Sequence, residues 1–231
     1  MLPFLIYIFL KKYSNKSWTE TGLRISKFIK SRLNVIFVSL LILLLALIPI
    51  LSKSQRLQLN YKIVQGGDEI GWMQLDKIIS GSRLSLTLTS EIKTRIIFQI
   101  RVWAKETAAF ENGKLIHSTQ YRETNGDVNV NKQTRFVADK YEVVENGETQ
   151  NLNISNISVN LLSLYFLEPA GINMLYSDKF GSLVKITKTD DGGYKVKFPD
   201  GNSNVFYYSK GICTNVKIEH TFYTATVILK P

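Results

Sequence analysis

Two hydrophobic patterns divide this chain. Residues 33–51, LNVIFVSLLILLLALIPIL, form an unbroken apolar run without a charge, whereas from Arg56 onward apolar and polar residues alternate. At 1.5 Å per residue, a helix over the run would be roughly 28 Å long, close to the hydrocarbon thickness of a bilayer. Alternation instead marks half-buried strands with one wet face. Leu57, Leu59, Tyr61 and Ile63 alternate with Gln58, Asn60 and Lys62, and Leu84, Leu86 and Leu88 alternate with Ser85, Thr87 and Thr89. Ile96, Phe98, Ile100 and Val102 follow the same rule, as do Tyr194, Val196 and Phe198, and Ile212, Thr214, Val216 and Ile218. The pattern predicts Leu84, Leu86, Leu88, Phe98, Ile100 and Val216 in the core. It predicts Lys195, Lys197, Lys217 and Glu219 in solvent.

Turn signals separate these runs at short intervals: Gly66-Gly67-Asp68, Ser80-Gly81-Ser82, Asn112-Gly113, Asn125-Gly126-Asp127, Asn146-Gly147, Asp191-Gly192-Gly193 and Asp200-Gly201. Asn-Gly and Asp-Gly supply the positive φ angles that tight hairpins need. Short strands joined by hairpins make an antiparallel meander, because parallel pairing needs longer crossovers. The expected fold is all-β: a strongly curved meandering sheet or an open barrel, with a flat two-sheet sandwich as the alternative. Residues 158–167, SVNLLSLYFL, are the one predicted short helix, stopped at Glu168-Pro169-Ala170-Gly171. Residues 55–231, about 177 in number, are enough for one hydrophobic core.

The net charge of +10 belongs mostly to the N-terminal part. Before Gln55 stand eight Lys or Arg and the single acid Glu20, leaving 21 basic and 18 acidic residues for the rest. With no basic and aromatic stripe either, nucleic-acid binding is set aside. Seven basic residues between Lys11 and Arg32, against Lys53 alone after the run, predict a cytoplasmic N-terminus and an exported C-terminal domain. The expected organisation is a basic cytoplasmic lead over 1–32, a transmembrane signal anchor over 33–51 and a periplasmic β domain over 55–231. The partner of 33–51 is then the inner membrane. Within the lead, Ile25, Phe28 and Ile29 share one helical face, as in a juxtamembrane amphipathic helix. The alternative is a signal peptide cleaved near Gln55, for which Pro49, Ser52 and Ser54 offer a cleavage region.

The chemistry is sparse. No nucleophile-elbow, zinc-protease, P-loop or dinucleotide motif occurs. Cys213, alone of its kind, reads as a small buried hydrophobe. His117 and His220 lie about a hundred residues apart on strand-like runs, and Asp190-Asp191 precedes two turn glycines. No enzyme, cofactor or metal is expected. What remains is a ligand hollow inside a curled sheet, with residues 161–167 as its lid. Tyr165 and Phe166 would face inward, and Tyr207, Phe222 or Tyr223 would line the wall. Two functions stand side by side. In one the sheet holds a lipid or other apolar ligand; in the other it is an envelope assembly or protein-interaction module with a packed interior.

Five blocks carry a family resemblance: YKIVQGGDEIGWMQL from Tyr61, FENGKLIHS from Phe110, LYFLEPAG from Leu164, YSDKFGSLVKI from Tyr176 and YKVKFPDGNSNVFYYSKGI from Tyr194. Together they resemble the bacterial envelope family known as domain of unknown function 6134, found mainly in Bacteroidota. The resemblance covers nearly all of the exported domain and none of the anchor. It implies no activity and no catalytic residues, because the family has none assigned. The chain departs from it with Ser177-Asp178 where Ser-Glu is usual, and with a long lead where a short cleavable signal is typical.

Overall fold

The computed structural model describes residues 54–95 and 99–231, together with Ser39. Apart from Ser39, the expected anchor, the lead before it and the core position Phe98 lie outside the described residues. Among the described residues no helix is long and apolar enough to cross a membrane.

Among the described residues fourteen strands follow one another. The first eight are β1 (Gln55–Gln65), β2 (Asp68–Ser80), β3 (Arg83–Arg95), β4 (Gln99–Glu111), β5 (Lys114–Thr124), β6 (Asp127–Val137), β7 (Lys140–Glu145) and β8 (Glu148–Leu152). The other six are β9 (Met174–Ser177), β10 (Ser182–Lys188), β11 (Tyr194–Lys197), β12 (Ser203–Ser209), β13 (Ile212–His220) and β14 (Tyr223–Leu229). All belong to a single antiparallel sheet, ordered β8 to β1, then β14 to β9. Two meanders are thus joined where β1 pairs with β14, Tyr61 opposite Leu229 and Ile63 opposite Val227. One sheet replaces the two of a sandwich, so that alternative falls.

The hairpins form where the turn dipeptides stand. Between β4 and β5, Asn112 and Gly113 take φ of 50° and 76°, the two positive angles of a tight hairpin turn. Of the predicted core, Leu86, Leu88 and Val216 are buried, while Leu84 and Ile100 are half-buried near strand ends. Lys197, Lys217 and Glu219 are exposed; Lys195 is half-buried because its Nζ reaches the Glu219 carboxylate at 2.6 Å.

The sheet does not close through a ladder, since β8 and β9 are both edges. Side chains and the connection between those two strands span the gap instead. Leu115 N–H donates to the Ile157 carbonyl at 2.8 Å, and Tyr176 N–H to the Val159 carbonyl at 2.9 Å. The Tyr141 hydroxyl donates to the Leu115 carbonyl and accepts from Ile157 N–H. Thr134 and Tyr176 share a hydroxyl–hydroxyl bond of 2.8 Å. The predicted helix is a five-residue 3-10 helix, Leu161–Tyr165, begun by a capping box between Asn160 and Ser163. Its Leu162 and Leu164 join the core, which places it against the inner face of the sheet.

Candidate functional site

Cross-strand register sets one residue from each of seven strands in a row across the inner face: Leu59, Leu75, Leu88, Glu106, Gln120, Lys132 and Glu145. The row is apolar over β1 to β3 and polar from β4 onward. The change of character falls between Leu88 and Glu106, and there the interior is not filled.

A hollow of about 290 Å³ opens at this point. Leu88, Glu106, Gln120 and Arg122 line one side, Asn204, Phe206 and Ile218 the other, and Leu161, Leu162 and Tyr165 of the 3-10 helix cover it. Lys179, Phe198, Asn202, Glu219, His220 and Tyr223 complete the wall. Strands β3 to β5 and β12 to β13 thus face the same space, although β2, β1 and β14 lie between them in the sheet; the sheet curls to enclose it. A recess of about 80 Å³ adjoins, also lined by Glu106, Gln120, Arg122 and Lys179. A larger depression of about 700 Å³ is a shallow dish lined by Arg101, Trp103, Glu123 and Asn125 near the β5–β6 turn, away from the enclosed face.

Burial is the main force on the acids of the interior. It pushes the Glu106 carboxyl up to about 7, the negative charge of Asp178 adds to this, and Arg122 and the Gln120 amide oppose it. Asp178 is also raised by burial, against hydrogen bonds from Ser118 and Asn160 and the charge of Lys132. The other charges around the hollow are paired. Lys132 meets Glu145 at 2.9 Å, Lys179 meets Asp200 at 2.7 Å, and Glu219 meets Lys195. Among the described residues the side chain of Arg122, an exposed residue, has no ion-pair or hydrogen-bond partner, and it feels Glu106 only through space. The hollow therefore presents polar and apolar side chains to the same space. Among the described residues no three His, Cys, Asp or Glu side chains gather closely enough to hold a metal ion.

The five residues expected at a ligand site do not all meet. Tyr165 covers the hollow, its ring edge-on to Tyr61 at 5.6 Å and to Phe206 at 5.8 Å. Tyr223 is half-exposed on its wall, stacked on His220 at 4.6 Å. Phe166 is buried outside the hollow, 5.8 Å from the Lys77 ammonium. Tyr207 points the other way, because the period of two puts Phe206 inside: its hydroxyl donates to Asp191 at 2.7 Å and Lys217 lies 4.9 Å over its ring. Phe222, 89% exposed, occupies the β13–β14 turn.

Of the other singled-out residues, Cys213 is buried, its thiol pushed up to about 12 by burial. Asp191 accepts from Thr189, Tyr207 and Gly193 N–H, bonds that pull its carboxyl down to about 2 and hold the turn. His220 accepts from Phe222 N–H at 3.3 Å, within its own hairpin. Glu106, Gln120 and Arg122 were not anticipated. The signal for Glu106 was present in β4, where Ala104, Ala108 and Phe110 are buried on the same face. An acid in register with three core positions is the anomaly that marks the site.

The family model of domain of unknown function DUF6134 matches residues 61–230. The crystal structure of a beta-barrel-like protein of domain of unknown function DUF1849 from Brucella abortus is similar with a TM-score of 0.47 and 12% sequence identity, covering 75% of this chain and 95% of that one. No curated protein matches.

Proposed function

The chain belongs to the DUF6134 family, a domain of unknown function, and on that premise we propose that its β domain is a non-enzymatic binding module of the bacterial envelope. It holds a small amphipathic ligand in the hollow beneath Tyr165. The observation that carries this reading is the unfilled space of about 290 Å³, whose lining brings apolar and polar side chains together. Its size is near the lower end of small-molecule pockets, which run from about 300 Å³ upward. Leu88, Leu161, Phe206 and Ile218 favour an apolar body, while Glu106, Gln120 and Arg122 favour one polar end. Glu106 and Gln120 are hydrogen-bonded to each other, which leaves the Arg122 guanidinium as the group a polar end of the ligand would meet. The hollow also weighs against the alternative of a packed assembly module.

In this reading the run over 33–51 tethers the domain to the inner membrane, with the domain in the periplasm, or is removed on export. The test is native mass spectrometry of the full chain purified from cells grown without added ligand. A co-purifying small molecule, lost when Leu88 is replaced by Lys, is expected. Full occupancy of the folded protein by nothing, together with no binding of any amphipathic probe, would defeat the proposal.

A further inference from the structure

Resting on that reading of the hollow, we propose that its ligand is an amphipathic monocarboxylate of about ten non-hydrogen atoms, its carboxylate held by Arg122 beside Glu106 and its chain lying against Leu88, Phe206 and Tyr165. The size follows from the space. One water occupies about 30 Å³ of liquid, so a hollow of about 290 Å³ takes roughly ten such atoms.

The charge of the polar end follows from which groups are already paired. Lys132, Lys179 and Glu219 each hold a partner of opposite sign. Arg122 is the unpaired cation on the wall among the described residues. A guanidinium fork matches a carboxylate with two parallel hydrogen bonds. Glu106 lies opposite Gln120, and Arg122 opposite Ala104, so Glu106 and Arg122 are diagonal neighbours across the β4–β5 ladder. Such neighbours are about 7 Å apart, within reach of one bound group.

An ammonium group would suit Glu106 but be repelled by Arg122, and an alcohol would leave the exposed guanidinium with water as its partner. A carboxylate satisfies both if Glu106 is protonated, for then Glu106 donates its O–H to the ligand. Burial already favours that form. Above about pH 7, where Glu106 is ionised in the free protein, binding must therefore take up a proton, and affinity must fall as pH rises through that ionisation. The groups facing Glu106 are Arg122 of β5, Lys132 of β6, Glu145 of β7, Asp178 and Lys179 beyond β9, and Tyr165 of the helix. Glu219 and His220 of β13 share the hollow. His220, an imidazole on the same wall, is the control that the test must separate.

The experiment is calorimetric titration of the full chain, in nanodiscs of zwitterionic lipid with empty discs as blank, using octanoate, octylamine and octan-1-ol. Octanoate is expected to bind, octylamine not, and octanoate affinity to fall at least about tenfold from about pH 6 to about pH 8.5. Arg122→Gln should weaken octanoate at least about tenfold while Arg122→Lys retains part of it, and circular dichroism checks that each variant is folded. Glu106→Gln should bind at the lower pH and lose the pH dependence; His220→Gln should keep it. Equal binding of octanoate and octan-1-ol, unchanged in Arg122→Gln, would overturn the carboxylate assignment and leave the hollow as a ligand site. A flat profile in His220→Gln, with the slope intact in Glu106→Gln, would equally overturn it. No binding of any of the three probes by folded protein would bring down the ligand reading itself.

Discussion

The Ser118 hydroxyl, in the middle of β5, donates to the carboxylate of Asp178, 60 residues further along in the turn after β9. The other oxygen of Asp178 accepts from the Asn160 amide at 3.0 Å. One buried carboxylate therefore ties β5, the β8–β9 connection and the sheet edge together where no ladder does so. Removing it leaves two buried donors unsatisfied, at about 1–3 kcal/mol each. Asp178→Ala should cost about 2–5 kcal/mol in urea denaturation, and Asp178→Asn, which keeps the shape and an acceptor, distinctly less. Equal stability of Asp178→Ala and the parent would show that the gap is held by other contacts.

Glu106 makes stability depend on pH in a defined direction. Its carboxyl is raised in the folded state to about 7 from an ordinary 4.5. Its contribution is therefore fully present below about pH 4.5 and is lost as pH rises through about 7, a loss of up to about 3 kcal/mol. Glu106→Gln cannot ionise. It should gain on the parent as pH rises from about 4.5 to 8, read as a growing difference in urea midpoints. The acids that salt bridges and hydrogen bonds hold low, such as Glu91 and Asp200, act below this window and cancel in the comparison.

The alternating strands make a paired prediction about the two faces of the sheet. Leu86 is 1% exposed, whereas Lys197 lies on the wet side of β11. Leu86→Ala should lose roughly 2–5 kcal/mol as a core truncation. Lys197→Ala should stay within about 0.5 kcal/mol. Comparable losses at both sites would contradict the assignment of faces.

Strands and hairpins were legible because their determinants are local: the period of two, and residues that tolerate positive φ, as at Asn112-Gly113. The pairing of β1 with β14 was not, because nothing in either strand names a partner more than 160 residues away. The site was legible only where it is aromatic. Tyr165 could be placed from its position in an apolar segment, but Tyr207 could not be sorted from Phe206 without assigning β12 its inner face. Glu106 was hidden for the opposite reason. A charged residue in a strand looks like surface until the residues two places away, Ala104 and Ala108, are seen to be buried. The 3-10 helix came out shorter than the pattern suggested because the capping box starts it at Asn160 and Phe166 ends it.

Membrane orientation can be tested independently of the site. The basic bias of the lead, seven Lys or Arg between Lys11 and Arg32, predicts that a reporter fused after Pro231 works only if it functions outside the cytoplasm. Strong activity of a cytoplasm-only reporter at that position would reverse the proposed topology. The first residue of the mature protein then separates the two modes of export. A start near Gln55 means a cleaved signal, and an intact lead means a retained anchor.

Gly71 marks a place where backbone approaches backbone. In β2 it lies opposite Ile63 on one side and Ile92 on the other, and the β1–β2 register shifts just beyond it, between Ile63 and Val64. A Cβ added there would collide with the Glu91 carbonyl oxygen and come within 2.9 Å of the Ile92 Cα. Both are main-chain atoms of β3, so relief cannot come from a side-chain rotation. The β2–β3 ladder itself would have to part. Gly71→Ala should therefore destabilise by more than the roughly 1–3 kcal/mol of ordinary overpacking. The amides of Trp72 and Glu91 should lose protection from hydrogen exchange before those at the far end of the same hairpin. Glycine's usual entropic weakness in strands would instead make alanine the more stable residue. The sign of the change thus decides between close approach and mere flexibility: a gain in stability on Gly71→Ala would show that β2 and β3 are further apart here than the structure places them.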